Sequence, residues 1–368
     1  MEREVFFNRT MLPPIDEYYE QIKDIWESKW LATFGPKQQL FENQLREYLN
    51  IKKDPLVFVN GHIALEAVVG SICRKGEIIT TPFTFISTAN SIVRNGHTPV
   101  FCDVNDNMTI DVKQVEKMIN HNTVAVLATH VMGNVCDVEK LEEIGLKYGI
   151  KVIYDGAHVF GVKYCGKSIC EYGDATMFSF HASKVFNTAE GGAAIFNDGE
   201  MKCRAVNYRY FGMNEGTAVM LGTNGKMHEL SAALGICNLR RINEYIEKRG
   251  KMYALYKQGL KDTIGINFRI ENENVEYNYI YCYINVSEKE FGMDADSLLK
   301  ILNNRGVHAK KCFPSLICDM EIYKNSKRGV IEKAYVFLEN TIVLPLHADL
   351  TEQDVEYVCD VINNTKLM

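Results

Sequence analysis

Residues 123–155, TVAVLATHVMGNVCDVEKLEEIGLKYGIKVIYD, contain two apolar runs on either side of an amphipathic segment. The runs, 123–131 and 151–155, have few polar interruptions, which is typical of strands that are covered on both faces. The segment between them is predicted to be a helix that begins after a capping Asp137 and ends at Gly149. Two strands connected by a helix lie parallel in one sheet, so this stretch predicts an α/β fold.

The same alternation of strands and helices extends through most of the first 240 residues. Further strands are predicted at 56–60, 77–82, 99–104, 175–180 and 191–196. Amphipathic or apolar helical segments such as HIALEAVVGSIC lie between them. The first part of the chain is therefore predicted to be a mostly parallel sheet wrapped by helices.

The pattern changes after residue 241. The later elements are predicted to be a long charged helix, an alternating strand, a helix, a short strand and a final helix, at 242–262, 277–285, 294–306, 341–346 and 351–363. We therefore divide the chain into a large domain, 1–241, and a smaller α+β domain, 242–368.

Composition excludes several classes of protein. The 368 residues contain 41 Lys and Arg against 47 Asp and Glu, a net charge of −6, which argues against nucleic-acid or membrane-surface partners. No apolar run approaches the length of a membrane span, and the charged start MEREVFFNRT is unlike a signal peptide. The 11 cysteines form no C-x-x-C pair, so we expect free thiols, a cytoplasmic location and no metal site.

Open α/β sheets bind ligands at the carboxyl ends of their strands. Asn60, Gly61 and His62 follow the first strand and open a helix, an arrangement that suits a phosphate group but also an ordinary turn. The glycine-rich loops of dinucleotide and nucleoside-triphosphate sites are absent from the sequence.

Two further positions carry candidate chemistry. Asp155 ends an apolar strand and is costly to bury unless it meets a metal, a protonated heterocycle or a structural donor. His158 lies three residues on, but one Asp and one His are too few ligands for a metal. Lys184 lies in an apolar, aromatic loop, where desolvation would make it an amine nucleophile unless the loop exposes it.

Together these residues meet the needs of pyridoxal phosphate. A lysine holds its aldehyde, a carboxylate keeps its ring nitrogen protonated, and a helix start holds its phosphate. Phe85, which follows the next strand, is placed to stack on the ring.

The chain also resembles the DegT/DnrJ/StrS family of sugar aminotransferases over nearly its whole length. The motifs that carry the resemblance are WESKWLATFGPKQQLFENQLREYL, NGHIAL, ITTPFTFISTAN, HVMGNVCDV, VIYDGAHVFG, FSFHASKVFNTAEGGA and NGKMHELSAALG. The resemblance implies a fold-type I, aspartate aminotransferase-like architecture. Within the family, residues 178–192 are most similar to enzymes that make TDP-4-amino-4,6-dideoxyglucose, the viosamine type.

The resemblance assigns the chemical roles. Lys184 would form the Schiff base, Asp155 would pair with the pyridinium nitrogen, His158 would contact the phenolic oxygen of the cofactor, and Phe85 would stack on its ring.

The resemblance also assigns the phosphate contacts. Gly61, residue 62 and Ser179 would hold the phosphate, and Asn224 would reach the phosphate of the neighbouring subunit in a homodimer. Position 62 is usually Thr or Ser in the family, whereas this chain has His62, so only its backbone contact is carried over securely.

The predicted activity is transfer of an amino group from glutamate to a nucleotide-linked 4-keto-6-deoxyhexose, with dTDP-4-keto-6-deoxyglucose as the expected substrate. The alternatives are amination at C3 or of a UDP- or GDP-linked sugar, dehydration by the same cofactor, and a regulator without catalysis. Retention of Lys184 disfavours dehydration, because dehydratases of the family carry histidine there. His308, Lys310 and Lys311 are predicted to lie near the substrate, although a plain surface turn is the alternative for each.

Overall fold

The computed structural model describes residues 3–365. The strands in this range are β1 (Leu56–Phe58), β2 (Glu77–Thr80), β3 (Thr98–Phe101), β4 (Thr123–Thr129), β5 (Lys151–Asp155), β6 (Lys163–Tyr164), β7 (Lys167–Ser168), β8 (Ala175–Ser179), β9 (Gly192–Phe196), β10 (Met213–Asn214), β11 (Thr217–Ala218), β12 (Ile266–Asn267), β13 (Val275–Glu276), β14 (Cys282–Val286), β15 (Lys310–Lys311), β16 (Lys327–Arg328) and β17 (Thr341–Leu344).

The helices are α1 (Ile15–Ser28), α2 (Pro36–Leu49), α3 (Gly61–Gly70), α4 (Ser87–Arg94), α5 (Val112–Met118), α6 (Val138–Tyr148), α7 (Gly199–Arg209), α8 (Glu229–Leu239), α9 (Ile242–Gly259), α10 (Glu288–Phe291), α11 (Ala295–Asn304), α12 (Lys333–Asn340) and α13 (Glu352–Thr365). None of the helices in the described range is long and apolar enough to cross a bilayer.

The central sheet has eight strands in the order β1-β9-β8-β5-β4-β2-β3-β16. Every neighbouring pair from β8 to β16 is parallel, and β9 alone runs in the opposite direction between β1 and β8. The carboxyl ends of β1 and β8 therefore lie at the same edge as those of β2, β4 and β5. All seven strands predicted for the first part of the chain are present.

Strand β4 shows why the predicted runs are so apolar. Val126 packs in the hydrophobic core on one face of the sheet, and Leu127 packs in the core on the other face. The predicted ends of the following helix are confirmed, since the Asp137 side chain accepts a hydrogen bond from the Lys140 N–H at 3.1 Å. Gly149 ends α6 with a left-handed φ of 62°, which a glycine adopts without strain.

A second sheet, β12-β14-β17-β15, forms after residue 241 and packs with α9, α11 and α13 around its own core. The strand predicted at 277–285 is wrong in its first half, because β14 begins only at Cys282. Tyr279 has a positive φ of 51°, and the Asn278 side chain bonds to the carbonyls of His158 and Phe160. These contacts fix the segment as a loop against the large sheet.

The two parts of the chain are interlocked. Strand β16 extends the edge of the large sheet beside β3, and Val5 forms a bridge with Val307. The boundary at 241/242 stays a prediction.

Asp103, which follows β3, links the large sheet to the start of α12. Its buried carboxylate accepts hydrogen bonds from the N–H groups of Glu332, Lys333 and Ala334 at 2.8, 2.9 and 2.9 Å. Free N–H groups at a helix start favour a negative charge, so this carboxylate fixes the beginning of α12 to the sheet.

Asp103→Ala is expected to lower the free energy of unfolding by about 3 kcal/mol, because it leaves buried N–H groups without acceptors. Denaturant titration of the variant measures the loss. Asp106→Ala is the matched control: Asp106 is exposed and pairs only with Lys333 among the described residues, so its expected change is within about 0.5 kcal/mol. Equal stability of the two variants would contradict the assigned role of Asp103.

Candidate active site

A cavity of about 650 Å³ opens at the carboxyl ends of the central strands. Its wall comes from the large sheet and from Tyr281 and 310–314, which follow residue 241. Nine predicted site residues line it: Gly61, His62, Phe85, Asp155, His158, Ser179, Lys184, Lys310 and Lys311.

Asp155 is the last residue of β5 and is 3% exposed. The Thr88 hydroxyl donates to its Oδ2 at 2.9 Å, and the Ala157 N–H donates to its Oδ1 at 3.1 Å. Burial raises the pKa of Asp155, although these hydrogen bonds and the charge of Lys184 act in the opposite direction. A buried carboxylate held in this way favours a cationic group in the cavity.

Lys184 lies on the loop between β8 and β9 and is partly buried. Its backbone N–H donates to the carbonyl of His181 at 2.9 Å, which closes a tight turn before it. Burial lowers the pKa of Lys184 to about 8, while the charge of Asp155 acts in the opposite direction. An appreciable fraction of this amine is therefore neutral near pH 7, as a nucleophile or a base requires.

His158 is buried and kept neutral. Burial is the main cause that lowers the pKa of His158 well below the usual range, and the charge of Lys184 lowers it further. The Met132 N–H donates to Nδ1 at 3.1 Å, so the neutral ring carries its hydrogen on Nε2. The ring of Tyr281 meets the imidazole edge to face, with centroids 5.2 Å apart. His158 is thus a fixed hydrogen-bond donor.

The start of α3 forms a close-packed cradle with β8 and β9. Asn60 caps the helix by accepting from the Ile63 N–H at 2.8 Å, and the N–H groups of the first turn precede any helical acceptor. A Cβ atom on Gly61 would lie 2.7 Å from Ser179 Cβ, and one on Gly192 would lie 2.7 Å from Gly61 Cα. Glycine is required at both positions for this approach, which leaves backbone N–H groups at the cavity wall.

Both ring nitrogens of the His62 side chain contact other side chains of the protein. Its Nδ1 lies 2.7 Å from Ser87 Oγ, and its Nε2 lies 3.1 Å from the Glu66 carboxylate. The phosphate contact predicted for the backbone of residue 62 remains a prediction.

Phe85 lies on the cavity rim and is 64% exposed. Its stacking role also stays a prediction.

Two predicted residues do not line the cavity. Asn224 is exposed, and its Oδ1 accepts a hydrogen bond from Lys226. His308 stacks on Phe6, with centroids 5.3 Å apart, and pairs with Glu4. Of the three residues predicted near the substrate, the structure therefore brings only Lys310 and Lys311 to the cavity.

Sequence reasoning missed three contributors to the site. Thr88 holds Asp155, Met132 fixes the tautomer of His158, and Tyr281 walls the cavity. Thr88 could have been found from its position one turn after Phe85. Met132 acts through its backbone, and Tyr281 comes from the segment that was predicted to be a strand, so neither left a usable signal.

Comparison with known proteins supports the resemblance. The DegT/DnrJ/EryC1/StrS aminotransferase family model matches residues 15–363. The chain is 36% identical to a dTDP-4-amino-4,6-dideoxy-D-glucose transaminase of Shigella dysenteriae, with 100% of both chains covered. It is 35% identical to an Escherichia coli transaminase of the same name, with 94% of both chains covered.

The structure is also similar to that of DesI, solved in the presence of its TDP-sugar product. The TM-score is 0.94 at 26% identity, covering 100% of this chain and 94% of DesI. The predicted fold class is therefore confirmed, and so is the predicted assignment to an enzyme family. The chain belongs to the DegT/DnrJ/EryC1/StrS aminotransferase family.

Proposed function

We propose that the protein is a pyridoxal phosphate-dependent aminotransferase that moves an amino group from glutamate to dTDP-4-keto-6-deoxyglucose and makes dTDP-4-amino-4,6-dideoxyglucose. The observation that carries the proposal is that Lys184, an amine with a pKa of about 8, and the buried Asp155 line the same cavity. The substrate follows from the names of the two transaminases that are 35% and 36% identical to the chain.

The residues present fit the cofactor. When bound, pyridoxal phosphate supplies an aldehyde that condenses with amines and a ring that withdraws electrons from the adjacent carbon. Asp155 would hold the protonated ring nitrogen, which supplies the positive partner that this buried carboxylate lacks among the described residues. His158 would donate from Nε2 to the phenolic oxygen. The cradle of Gly61 and Ser179 would hold the phosphate.

Lys184 would do two jobs. Its Nζ would hold the cofactor in the resting enzyme. When free, the same amine would accept the proton that the donor loses from its α-carbon, and it would return a proton when the sugar is aminated. A pKa of about 8 suits both directions, because proton transfer is most effective when the pKa lies near the working pH.

The cavity mouth carries the charge that a nucleotide diphosphate needs. Lys311 already pairs with Asp296 at 2.9 Å. Lys310 instead lies over the Phe7 ring, 4.4 Å from its centroid, and is exposed. Lys310 is therefore the freer cation, and it would contact the diphosphate from outside the cofactor site.

The proposed reaction is tested by incubating the protein with pyridoxal phosphate, glutamate and a panel of keto sugars linked to dTDP, UDP or GDP. Mass spectrometry and NMR of the product identify the aminated carbon. Amination at C3 or of a UDP or GDP sugar would replace the proposed substrate. Product without consumption of glutamate would indicate dehydration, and failure to take up the cofactor would indicate a regulator.

We further propose a homodimer in which Asn224 completes the neighbouring site. Asn224 forms a bridge with Tyr210 on an apolar surface that includes Phe211, 52% exposed, and Leu221, 93% exposed. Lys226 donates to Asn224 Oδ1, and Nδ2 of Asn224 has no hydrogen-bond acceptor among the described residues. Exposed apolar side chains grouped around a polar donor suit a subunit interface.

Asn224→Ala is expected to raise the dissociation constant of pyridoxamine phosphate about 10-fold, because it removes a hydrogen bond to a charged group. The dimer itself should persist, as light scattering would show. Asn214→Ala, at an exposed asparagine of β10, is the control and should leave the affinity unchanged. A wild-type monomer in solution, or equal affinities for both variants, would contradict the shared site.

A further inference from the structure

A polar cluster lies beside the phosphate cradle and consists of His62, Ser87 and Glu66. His62 follows Gly61 in the first turn of α3, and Ser87 is the first residue of α4. Both line the same cavity as Ser179. The His62 ring bridges the other two side chains, with Nδ1 2.7 Å from Ser87 Oγ and Nε2 3.1 Å from Glu66.

Glu66 holds this polar cluster in place. It is 1% exposed and is held by Arg94 and by the Tyr208 hydroxyl at 3.1 Å. Burial opposes ionisation, but the hydrogen bonds from His62 and Arg94 outweigh it and lower the pKa of Glu66. An ionised carboxylate only accepts hydrogen bonds. The His62 Nε2 that faces it therefore carries a hydrogen.

The state of the other ring nitrogen decides what Ser87 offers to the cavity. In a neutral ring Nδ1 is an acceptor, so the Ser87 hydroxyl donates to it and presents only lone pairs. In a doubly protonated ring Nδ1 donates to Ser87 Oγ, and the hydroxyl hydrogen is free to point into the cavity. Among the described residues, His62 is the one hydrogen-bond partner of the Ser87 side chain.

An anion in the cavity favours the second state. Glu66 carries one negative charge and Arg94 one positive charge, and the Tyr208 hydroxyl is neutral. Protonated His62 thus gives the cluster a net charge of +1, next to the N–H groups of the first turn of α3. A phosphate dianion there would accept a hydrogen bond from the Ser87 hydroxyl.

We propose that Ser87, oriented by His62 and Glu66, is a side-chain donor to the cofactor phosphate. This inference rests on the proposed function, since the phosphate is that of pyridoxal phosphate. His62 itself makes no direct side-chain contact with the phosphate, because both of its ring nitrogens are engaged. It acts as a positioning residue for Ser87.

Ser87→Ala tests the proposal through the affinity for pyridoxamine phosphate, which makes no covalent bond to Lys184. The dissociation constant, measured by fluorescence titration, is expected to rise about 10-fold or more, because a hydrogen bond to a charged group is lost. The affinity for pyridoxamine, which has no phosphate, should not change. Ser87→Thr keeps the hydroxyl and should keep most of the affinity.

Ser91→Ala is the matched control. Ser91 lies one turn further along α4, is buried, and donates to the carbonyl of Thr88 at 2.8 Å. This variant removes a hydroxyl from the same helix away from the cavity, so its affinity for pyridoxamine phosphate should match that of the wild type.

His62→Thr provides a second, independent readout. It removes the ring that orients Ser87, so Ser87→Ala in that background should cost less than threefold. Non-additivity of this kind is expected of residues that act as one unit. An unchanged affinity of Ser87→Ala, or the same loss in both backgrounds, would overturn the proposal while leaving the proposed function intact. A wild-type protein that binds no pyridoxamine phosphate would instead refute the proposed function and this inference together.

Discussion

Replacing Lys184 with alanine is expected to reduce turnover by about 10⁴-fold or more and to abolish the visible absorbance of the bound cofactor. The lysine amine is both the attachment point and the base, and general acid–base catalysis alone contributes about 10²- to 10⁴-fold. Steady-state assays with glutamate and dTDP-4-keto-6-deoxyglucose measure the turnover, and absorbance spectra of the purified variant report on cofactor attachment.

The control is a lysine of the same cavity that lies outside the cofactor site. Lys310→Ala should retain the absorbance and the turnover at saturating sugar nucleotide, and only the KM for that substrate should rise. Lys184→Arg keeps the positive charge but has no amine that can condense or deprotonate near neutral pH, so it should behave like Lys184→Ala. Substantial turnover by Lys184→Arg would contradict the assignment.

Asp155→Asn is expected to lower turnover by about 10²- to 4 × 10³-fold, because removal of one partner from a buried ion pair costs about 3–5 kcal/mol. The uncharged amide no longer favours a protonated ring nitrogen, on which electron withdrawal by the ring depends. Turnover and cofactor affinity should both fall. Thr88→Val, which removes the hydroxyl donor to Asp155 and keeps the carboxylate, should give a smaller loss.

The same substitution should have the opposite effect on the stability of the protein without cofactor. Burial raises the folded-state pKa of Asp155 above its unfolded value. At neutral pH the ionised group therefore destabilises the fold, and this cost disappears as the pH falls through the folded-state pKa. Asp155→Asn without cofactor should resist denaturant better than the wild type at pH 7 and lose that advantage in acid.

Adding pyridoxal phosphate should reverse the order of stability, because the ligand stabilises the form that binds it. If the wild type without cofactor is the more stable protein at pH 7, Asp155 has a stabilising partner that the structure does not show.

Much of the fold could be predicted because the seven strands of the first part are short apolar runs with capped helices between them. Asp155 and Lys184 could be predicted because a carboxylate or an amine in an apolar setting demands a partner. Lys310 and Lys311 line the cavity, and their contact with the substrate stays a prediction.

The remaining features depend on contacts between distant parts of the chain. The loop at 277–281 alternates like a strand, but Asn278 bonds to carbonyls more than a hundred positions earlier. The two-residue β16 has no periodicity to detect. The contacts of His62 with Ser87 and Glu66 depend on the rotamer of the His62 side chain, which the local sequence does not specify.

The contacts between segment 310–317 and the large sheet limit how a ligand can enter the cavity. The wall segment 310–314 begins in the second sheet at β15 and continues to Ile317, whose N–H donates to the Pro82 carbonyl at 3.1 Å. Phe313 meets Phe83 edge to face in the same region, with centroids 5.2 Å apart. A hinge rotation of the second sheet would strain segment 310–317, because the segment is held by the second sheet at one end and by the large sheet at the other. We therefore expect a ligand to enter past the exposed side chains of Phe85 and Lys310, while the scaffold stays rigid.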